Sequence, residues 1–263
     1  MEKIVNAVML NLDYFVLIFL RISALIFSSP IFGRKTLPSM LKIMLCIALA
    51  YVVYSADAAR TAIVYRSVFE YALLCVKELL FGLVLGYVTT LFFSIPQTAG
   101  YTIDMQMGFG MVNVFDVQSN VSVPVTGNFL YTIMLILFFV VDGHHQLVYI
   151  LLNTFSYIPV GQVTLAPALG YSAVEVFVLS FMLAAKVAMP MIAAGMMGEI
   201  LMGVIVRTTP QMNVFVVGIP LKIMLGFLAL LLLLPVYVNF ANTMFLDMFA
   251  SIHYMLKGLS GAV

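Results

Sequence analysis

The sequence reads YTIDMQMGFGMVNVFDVQSNVSVP from Tyr101 to Pro124, between two long apolar runs, Leu79 to Ile95 and Val125 to Val141. Its polar side chains, which hydrocarbon disfavours, are Asp104, Gln106, Asn113, Asp116, Gln118, Ser119 and Asn120. Its apolar side chains, which water disfavours, are Met105, Met107, Phe109, Met111 and Phe115. A connector of such mixed character between two membrane helices fits best in a cavity or pore bounded by protein, where we expect it to act as a plug.

The composition places the chain in the membrane. A soluble globular domain is about 45–50% apolar and about 25% charged, whereas these 263 residues are 64% hydrophobic and 9% charged. The sequence therefore predicts an all-α polytopic membrane protein built of helical hairpins. A formal net charge of +1 lacks the basic footprint of a nucleic-acid-binding protein. Cys46 and Cys75 lie in apolar helical runs, as is typical of small buried hydrophobic residues.

The first half of the chain predicts three helices. Tyr14 to Ser29 and Met40 to Tyr54 form a hairpin around a turn rich in proline and basic residues. Asp13 and Arg21 interrupt the N-terminal apolar run and no small-residue cleavage site follows, so no removable signal peptide is predicted. Tyr71 to Ile95 predicts a long helix that ends or kinks at Pro96.

Later apolar runs predict further helices: Val125 to Val141, Gln146 to Tyr157, Tyr171 to Val206, Ile223 to Phe240 and the amphipathic Asn242 to Lys257. The first two form a second hairpin. The third is expected to be broken or bent near Pro190. Residues Gln211 to Lys222 are expected to form a loop.

Gly82 and Gly86 have the small-xxx-small spacing that lets helix backbones approach closely in lipid. The spacing predicts tight helix packing here. Two incidental glycines are the alternative interpretation.

Eight ionisable residues lie within or beside apolar runs: Arg21, Lys42, Lys77, Glu78, Lys186, Glu199, Arg207 and Lys222. A charge at the bilayer centre costs about 2.5–3.5 kcal/mol even on the lenient insertion scale. The three next to turns, Lys42, Arg207 and Lys222, could instead extend toward the headgroups. The others are expected to face protein, and because one chain of this length offers few neighbours, they favour a hetero-oligomer.

Asp142, His144 and His145 invite a metal or acid–base interpretation. Adjacent histidines on a helix point in different directions, unlike the i, i+4 pair of a zinc helix. A polar turn at the membrane interface is the favoured interpretation. No nucleophile motif or Walker-type glycine loop is present, so neither enzyme activity nor a cofactor or metal is predicted.

Four stretches together resemble the FliR family, which comprises a flagellar export-gate protein and its virulence-secretion counterpart SctT. They are R-x8-P-x-F-G-x4-P-x3-K (Arg21 to Lys42), GYTIDMQMGF (Gly100 to Phe109) with Phe115-Asp116, DGHHQL to PVG (Asp142 to Gly161), and PQMNVFVVGIPLK (Pro210 to Lys222). They cover nearly the whole chain in the family's order and spacing.

The resemblance implies a subunit of a helical hetero-oligomeric pore. Its partners would be FliP-type and FliQ-type subunits, an FlhB-type switch protein and unfolded export substrates. The complex would lie in the bacterial inner membrane at the flagellar basal body, with much of it lifted toward the periplasm. Residues 1–161 would be a FliP-like part and residues 162–263 a FliQ-like part. Virulence secretion is the alternative setting, and the VGIPLK ending favours the flagellar branch.

The resemblance also implies that the loop of residues 106–124 lies in the lumen and helps to close it. The corresponding residues are Gln106, Met107, Gly108, Phe109, Gly110, Met111, Phe115 and Asp116. VNVFDVQSNVSVP departs from the family, which more often has Asp-Pro and Met-Pro in this loop. Deformable methionines suit a seal, and the two glycines suit a hinge. Simple packing of these residues between helices is the alternative.

A secondary transporter is the main rival interpretation from another class. It predicts inverted repeats and broken helices that meet at a midplane site. Pro96 and Pro190 could mark such breaks, but no strict internal repeat is present. An intramembrane enzyme that uses Asp142 and His144 is a more distant rival.

Overall fold

A computed structural model describes residues 2–56, 63, 65–109, 124–164, 166–209 and 214–260. These residues form seven α-helices and no strand, which confirms the all-α prediction. The helices are α1 (Glu2–Ser28), α2 (Ser39–Ala56), α3 (Val68–Met107), α4 (Val125–Val140), α5 (Gly143–Tyr157), α6 (Ala168–Thr208) and α7 (Val214–Ser260).

Four of these helices are long and apolar enough to cross a membrane: α2, α3, α6 and the Pro220–Leu259 part of α7. The pair α4 and α5, bent by 67° at the break between them, counts as a fifth span if it is taken together. A hydrocarbon core needs roughly 20 apolar residues per helix. The chain is therefore a polytopic helical membrane protein, as its composition predicts.

The prolines do not end the helices in which they lie, whereas the sequence predicts an end or a kink at Pro96 and a break or a bend near Pro190. Pro96 lies within the continuous α3, Pro190 within α6, and both Pro220 and Pro235 within α7. The predicted loop of residues 211–222 is helical from Val214, and the predicted tail helix is the end of α7. A proline removes one backbone donor, but neighbouring helices and local adjustments satisfy the freed carbonyl in membrane helices.

The chain divides into two compact units. Unit 1 comprises Met1–Leu91, Asp142–Val176 and Asp247–Val263, and unit 2 comprises Phe92–Val141 and Phe177–Leu246. In unit 1, fully buried aliphatic residues of α1 such as Leu17, Ile18 and Ile22 form the core with Phe81 of α3. This apolar core surrounds the ion pair between Arg21 and Glu78.

An aromatic cluster forms the core of unit 2. The ring of Phe138 on α4 makes edge contacts with Phe93 on α3, at 5.2 Å between centroids, and with Phe245 on α7, at 5.4 Å. Edge-to-face pairs of this kind contribute about 0.5–1.5 kcal/mol beyond their buried area. They hold α3 and α4 against α7.

Large apolar side chains remain exposed along much of the surface. Met40, Met44 and Tyr51 of α2 are 75%, 63% and 65% exposed, and Phe181 and Met189 of α6 are 63% and 68% exposed. Surfaces of this kind are covered by lipid or by other protein.

Candidate functional site

The predicted plug segment, residues 106–124, begins in the last turn of α3, which ends at Met107. The next residue, Gly108, has φ +83°. A glycine in this left-handed conformation commonly terminates a helix, because it has no Cβ to clash with the backbone. The chain therefore leaves α3 at Gly108, near the start of the predicted plug segment.

Two contacts hold this exit point against α7. The Met107 side chain is 1% exposed, and a Cβ built on Gly226 would lie only 2.8 Å from its sulfur atom. The ring of Phe109 meets that of Phe227 edge-on, with 5.7 Å between centroids. Gly226 thus provides the space into which Met107 packs.

A polar cluster adjoins these contacts. The Lys222 Nζ atom of α7 donates to the Glu199 Oε1 atom of α6 at 2.6 Å, and the Gln106 side chain also hydrogen-bonds Glu199. Gln106 packs over Gly195, where a Cβ would lie 2.7 Å from its Cγ. The structure therefore brings together three predicted site residues from three different helices. The carboxylate of Glu199 is 54% exposed, so the pair contributes mainly to positioning.

The two ends of the plug segment are joined by a buried carboxyl group. Asp104 is 4% exposed, and both of its oxygens lie 3.3 Å from the backbone nitrogen of Thr126, which donates to them. Pro124, the N-cap of α4, supplies no side-chain cap. Asp104 takes over that role from α3, because an acceptor at a helix N-terminus satisfies a free N–H and complements the helix dipole.

Close backbone contact supports the same junction. A Cβ on Gly100 would lie 2.1 Å from the Cα atom of Gly127, so α3 and α4 touch where both residues are glycine. Four predicted plug residues, Gly110, Met111, Phe115 and Asp116, lie outside the described residues. Their role in sealing stays a prediction.

A second cluster lies in unit 1, around Arg21. Its Nε and Nη2 atoms donate to the two carboxylate oxygens of Glu78 at 2.5 and 3.0 Å, and both side chains are fully buried. Its Nη1 atom donates to the Ile158 carbonyl at 3.0 Å, and the Gly161 N–H donates to Glu78 at 2.8 Å. A bidentate arginine–carboxylate pair with these extra bonds satisfies the groups that burial would otherwise penalise.

Aromatic rings enclose this ion pair. The guanidinium carbon of Arg21 lies 4.4 Å from the ring centroid of Phe81 and 4.5 Å from that of Phe155. Cation–π contacts become stronger when the cation is removed from water. With no solvent access and with all three guanidinium nitrogens hydrogen-bonded, this cluster joins α1, α3 and the end of α5 and has no opening for a substrate.

The two glycines of the packing motif lie on the α3 face that meets α1. A Cβ on Gly82 would lie 2.2 Å from the Arg21 carbonyl oxygen, and one on Gly86 would lie 1.6 Å from the Ser28 Oγ atom. No larger residue fits at either position without separating the helices. This close approach is what brings the Arg21 side chain to Glu78 on the same helix as Gly82.

The turn after α1 has its own lysine contact. The Lys42 Nζ atom donates to the Gly33 carbonyl at 3.0 Å, and Lys42 is buried. A Cβ on Gly33 would lie 2.5 Å from the carbonyl oxygens of Phe27 and Ser29. The glycine and the lysine of the N-terminal motif therefore act on the same turn.

Three cations of the predicted site remain, and among the described residues none of them pairs with an acidic side chain. Lys77 is half-buried, and Lys186 and Arg207 are exposed. In the part of the chain that the structure describes, none of the three forms an ion pair with an acidic side chain.

Asp142, His144 and His145 lie at the start of α5. Donor atoms of the three lie within 4.8 Å of one another, and Asp142 Oδ1 is 3.4 Å from His145 Nδ1. By distance alone they could hold a metal ion. Asp142 and His145 are largely exposed, and a helix N-terminus disfavours a cation, so the arrangement fits a polar turn better.

Sequence reasoning missed several residues at the base of the plug segment. They are Thr126, Gly127, Gly195 and Gly226, and also the capping role of Asp104. Asp104 lies within the GYTIDMQMGF motif, so the sequence does single out its position. The glycines carried no such signal, because their partners lie on other helices.

The family model for bacterial export proteins, family 1, matches residues 12–248 of the chain. The flagellar biosynthetic protein FliR of Bacillus subtilis is 35% identical over 227 residues, which cover 84% of this chain and 86% of that protein. FliR of Escherichia coli is 28% identical over 240 residues, covering 91% and 90%. FliR of Aquifex aeolicus is 28% identical over 260 residues, covering 98% of each.

The matched region includes the Arg21–Glu78 cluster, both ends of the plug segment and the Glu199–Lys222 pair. Family and fold agree, since the described residues form long apolar helices suited to a membrane protein. On this match the chain belongs to family 1 of the bacterial export proteins, the family of the flagellar biosynthetic protein FliR.

Proposed function

We propose that the chain is a subunit of the type III protein export gate. With FliP-type and FliQ-type subunits it forms the membrane entrance pore for unfolded flagellar proteins, and residues 106–124 help to plug that pore. The observation that carries the proposal is the Asp104–Thr126 contact, which ties together the two ends of the plug segment. A segment closed at its base can project as a unit from the helices that hold it.

The base contacts support a movable seal rather than a fixed connector. Gly108 lets the chain leave α3, and the exposed Glu199–Lys222 pair is of the weak kind that can rearrange at little cost. Methionine, which is unbranched and deformable, suits a surface that must seal against different neighbours. Such a loop could block ions at rest and make way for an extended chain.

The exposed apolar surface supports work in an assembly. Helix α2 in particular leaves Met40, Met44 and Tyr51 uncovered. In the proposed complex these faces contact other subunits, with residues 1–161 acting as the FliP-like part and residues 162–263 as the FliQ-like part. An FlhB-type switch protein is a further proposed partner.

The proposed location is the bacterial inner membrane at the flagellar basal body, and the proposed role is non-catalytic. The relatives named above are flagellar proteins, which favours flagellar export over virulence secretion. The fully buried Arg21–Glu78 cluster then serves to hold the helices together rather than to transform a substrate.

The test is ion conductance of the complex purified with its FliP-type and FliQ-type subunits and reconstituted in planar bilayers. Residues 110–122 are replaced by a glycine–serine linker of equal length, which leaves the base contacts in place. We expect the complex with the replaced segment to have a higher resting conductance than the wild-type complex. A matched control carries the same kind of linker in the turn at residues 34–37.

Equal conductance of the plug-replaced and wild-type complexes would exclude a sealing role for the segment. Failure of the wild-type chain to purify with any other subunit would exclude the export-gate assignment itself.

A further inference from the structure

Lys186 is a cation in an apolar setting near the middle of the 41-residue α6. It is exposed, and the exposed side chains beside it on the helix surface include Met182 and Met189, at 52% and 68%. The two ends of α6 are about five and about six helical turns away, and a lysine side chain spans little more than one turn. Its ammonium group therefore does not reach past either end of α6 and lies among the apolar side chains of this surface.

Lys186 is one of the residues that line a cavity of about 110 Å³. The other lining residues are apolar apart from Tyr237, whose hydroxyl donates to the Leu130 carbonyl at 3.0 Å. Small-molecule sites are typically about 300–1,000 Å³. This cavity is thus too small for a separate ligand of that kind but has room for one inserted side chain.

The charge of Lys186 is not balanced by this part of the chain. Among the described residues no acidic side chain forms an ion pair with it. A charge in an apolar membrane setting is rare unless it faces protein or a partner of opposite sign. The described residues thus provide no carboxylate that balances the charge of Lys186.

We infer that the Lys186 cavity is the docking site for an apolar helix of a neighbouring gate subunit, which inserts one aspartate or glutamate side chain against Lys186. This inference rests on the proposed function, since it requires an assembly. A helix fits the surface because the surroundings are apolar, and the single carboxylate sets its register along α6. An anionic lipid headgroup has the same charge, but the apolar lining of the cavity suits a side chain of an apolar helix better than a strongly hydrated headgroup.

The test uses the chain co-expressed with its gate subunits, and the recovery of complex in detergent is measured. Lys186→Glu places a like charge opposite the partner carboxylate, and because such a repulsion is large we expect complex recovery to fall by about tenfold or more. Lys186→Arg keeps the charge and should retain most of the complex. Lys35→Glu, a charge reversal at an exposed turn position, is the matched control and should assemble normally.

Two further measurements test the inference even if Lys186→Glu inserts poorly into the membrane. A photoreactive amino acid at Met189 should cross-link to a helix of another subunit that carries an acidic residue. Exchange of that acidic residue for lysine should restore recovery of the Lys186→Glu complex. Cross-linking to phospholipid alone, or full recovery of the Lys186→Glu complex, would overturn the inference.

These outcomes are distinct from failure of the proposed function. If the wild-type chain assembles and Lys186→Glu assembles equally well, the docking site is wrong and the export-gate assignment stands. If the wild-type chain does not assemble with other subunits, both are wrong.

Discussion

Arg21 and Glu78 lie 57 positions apart in the sequence and form a bidentate ion pair in which both side chains are fully buried. Removing one partner of such a pair leaves an uncompensated buried charge, whereas replacing both with apolar residues often restores stability. The pair therefore specifies how α1 meets α3.

Arg21→Met is expected to lower the free energy of unfolding in detergent by about 3–5 kcal/mol, because Glu78 loses its counter-ion. The double variant Arg21→Met with Glu78→Met should lose clearly less than the sum of the two single variants. Lys77→Met, at the half-buried neighbour of Glu78, is the control and should have little effect. Additive losses in the double variant would show that the two residues act independently.

Asp104→Ala is expected to destabilise the first turn of α4 by about 0.5–2 kcal/mol, the usual cost of losing an N-cap acceptor. Asp104→Asn keeps an acceptor oxygen and should retain most of the stability. Hydrogen exchange at the Thr126 amide measures the effect directly, because that N–H donates to Asp104. Wild-type protection of this amide in Asp104→Ala would contradict the capping role.

Gly226→Val is expected to displace Met107, since a Cβ at this position already lies 2.8 Å from the methionine sulfur. Overpacking of this kind costs about 1–3 kcal/mol, and we expect it to loosen the base of the plug segment and raise resting ion conductance. Gly203→Val is a matched control, because a Cβ on Gly203 meets nothing within 4 Å.

A shorter side chain at position 107 should relieve the same clash. Gly226→Val combined with Met107→Ala is expected to conduct less than Gly226→Val alone. If Gly226→Val and Gly203→Val behave alike, the contact between α7 and the end of α3 does not control the seal.

The hydrogen bond from the Tyr65 hydroxyl to Asp13 raises the pKa of Tyr65 above its ordinary value near 10. A raised pKa in the folded state means that this bond stabilises the protein fully below pH about 10, and that the stabilisation is lost as the pH rises through the folded pKa. Tyr65→Phe should remove this alkaline dependence while leaving stability at higher pH unchanged.

The measurement is thermal unfolding of wild type and Tyr65→Phe across the alkaline range, with Tyr149→Phe, at an exposed position of α5, as the control. Parallel curves for wild type and Tyr65→Phe would show that the Asp13 contact contributes nothing to the pH dependence.

The sequence by itself determined the class of the protein. A chain so poor in charge must satisfy its backbone within helices in a membrane, and the four motifs point to the family. The sequence also indicated that Arg21, Glu78, Glu199 and Lys222 need surroundings other than lipid, because charge in hydrocarbon is costly. It did not indicate which of them pair.

The tertiary structure alone decided the pairings and the course of the helices. Arg21 meets Glu78, Asp104 caps α4, and Gly226 accommodates Met107, because packing brings together helices far apart in the chain. Pro96 and Pro190 end neither helix, since both lie inside continuous helices. Local rules describe a helix on its own, whereas contacts with neighbouring helices determine where a membrane helix ends and which side chains it meets.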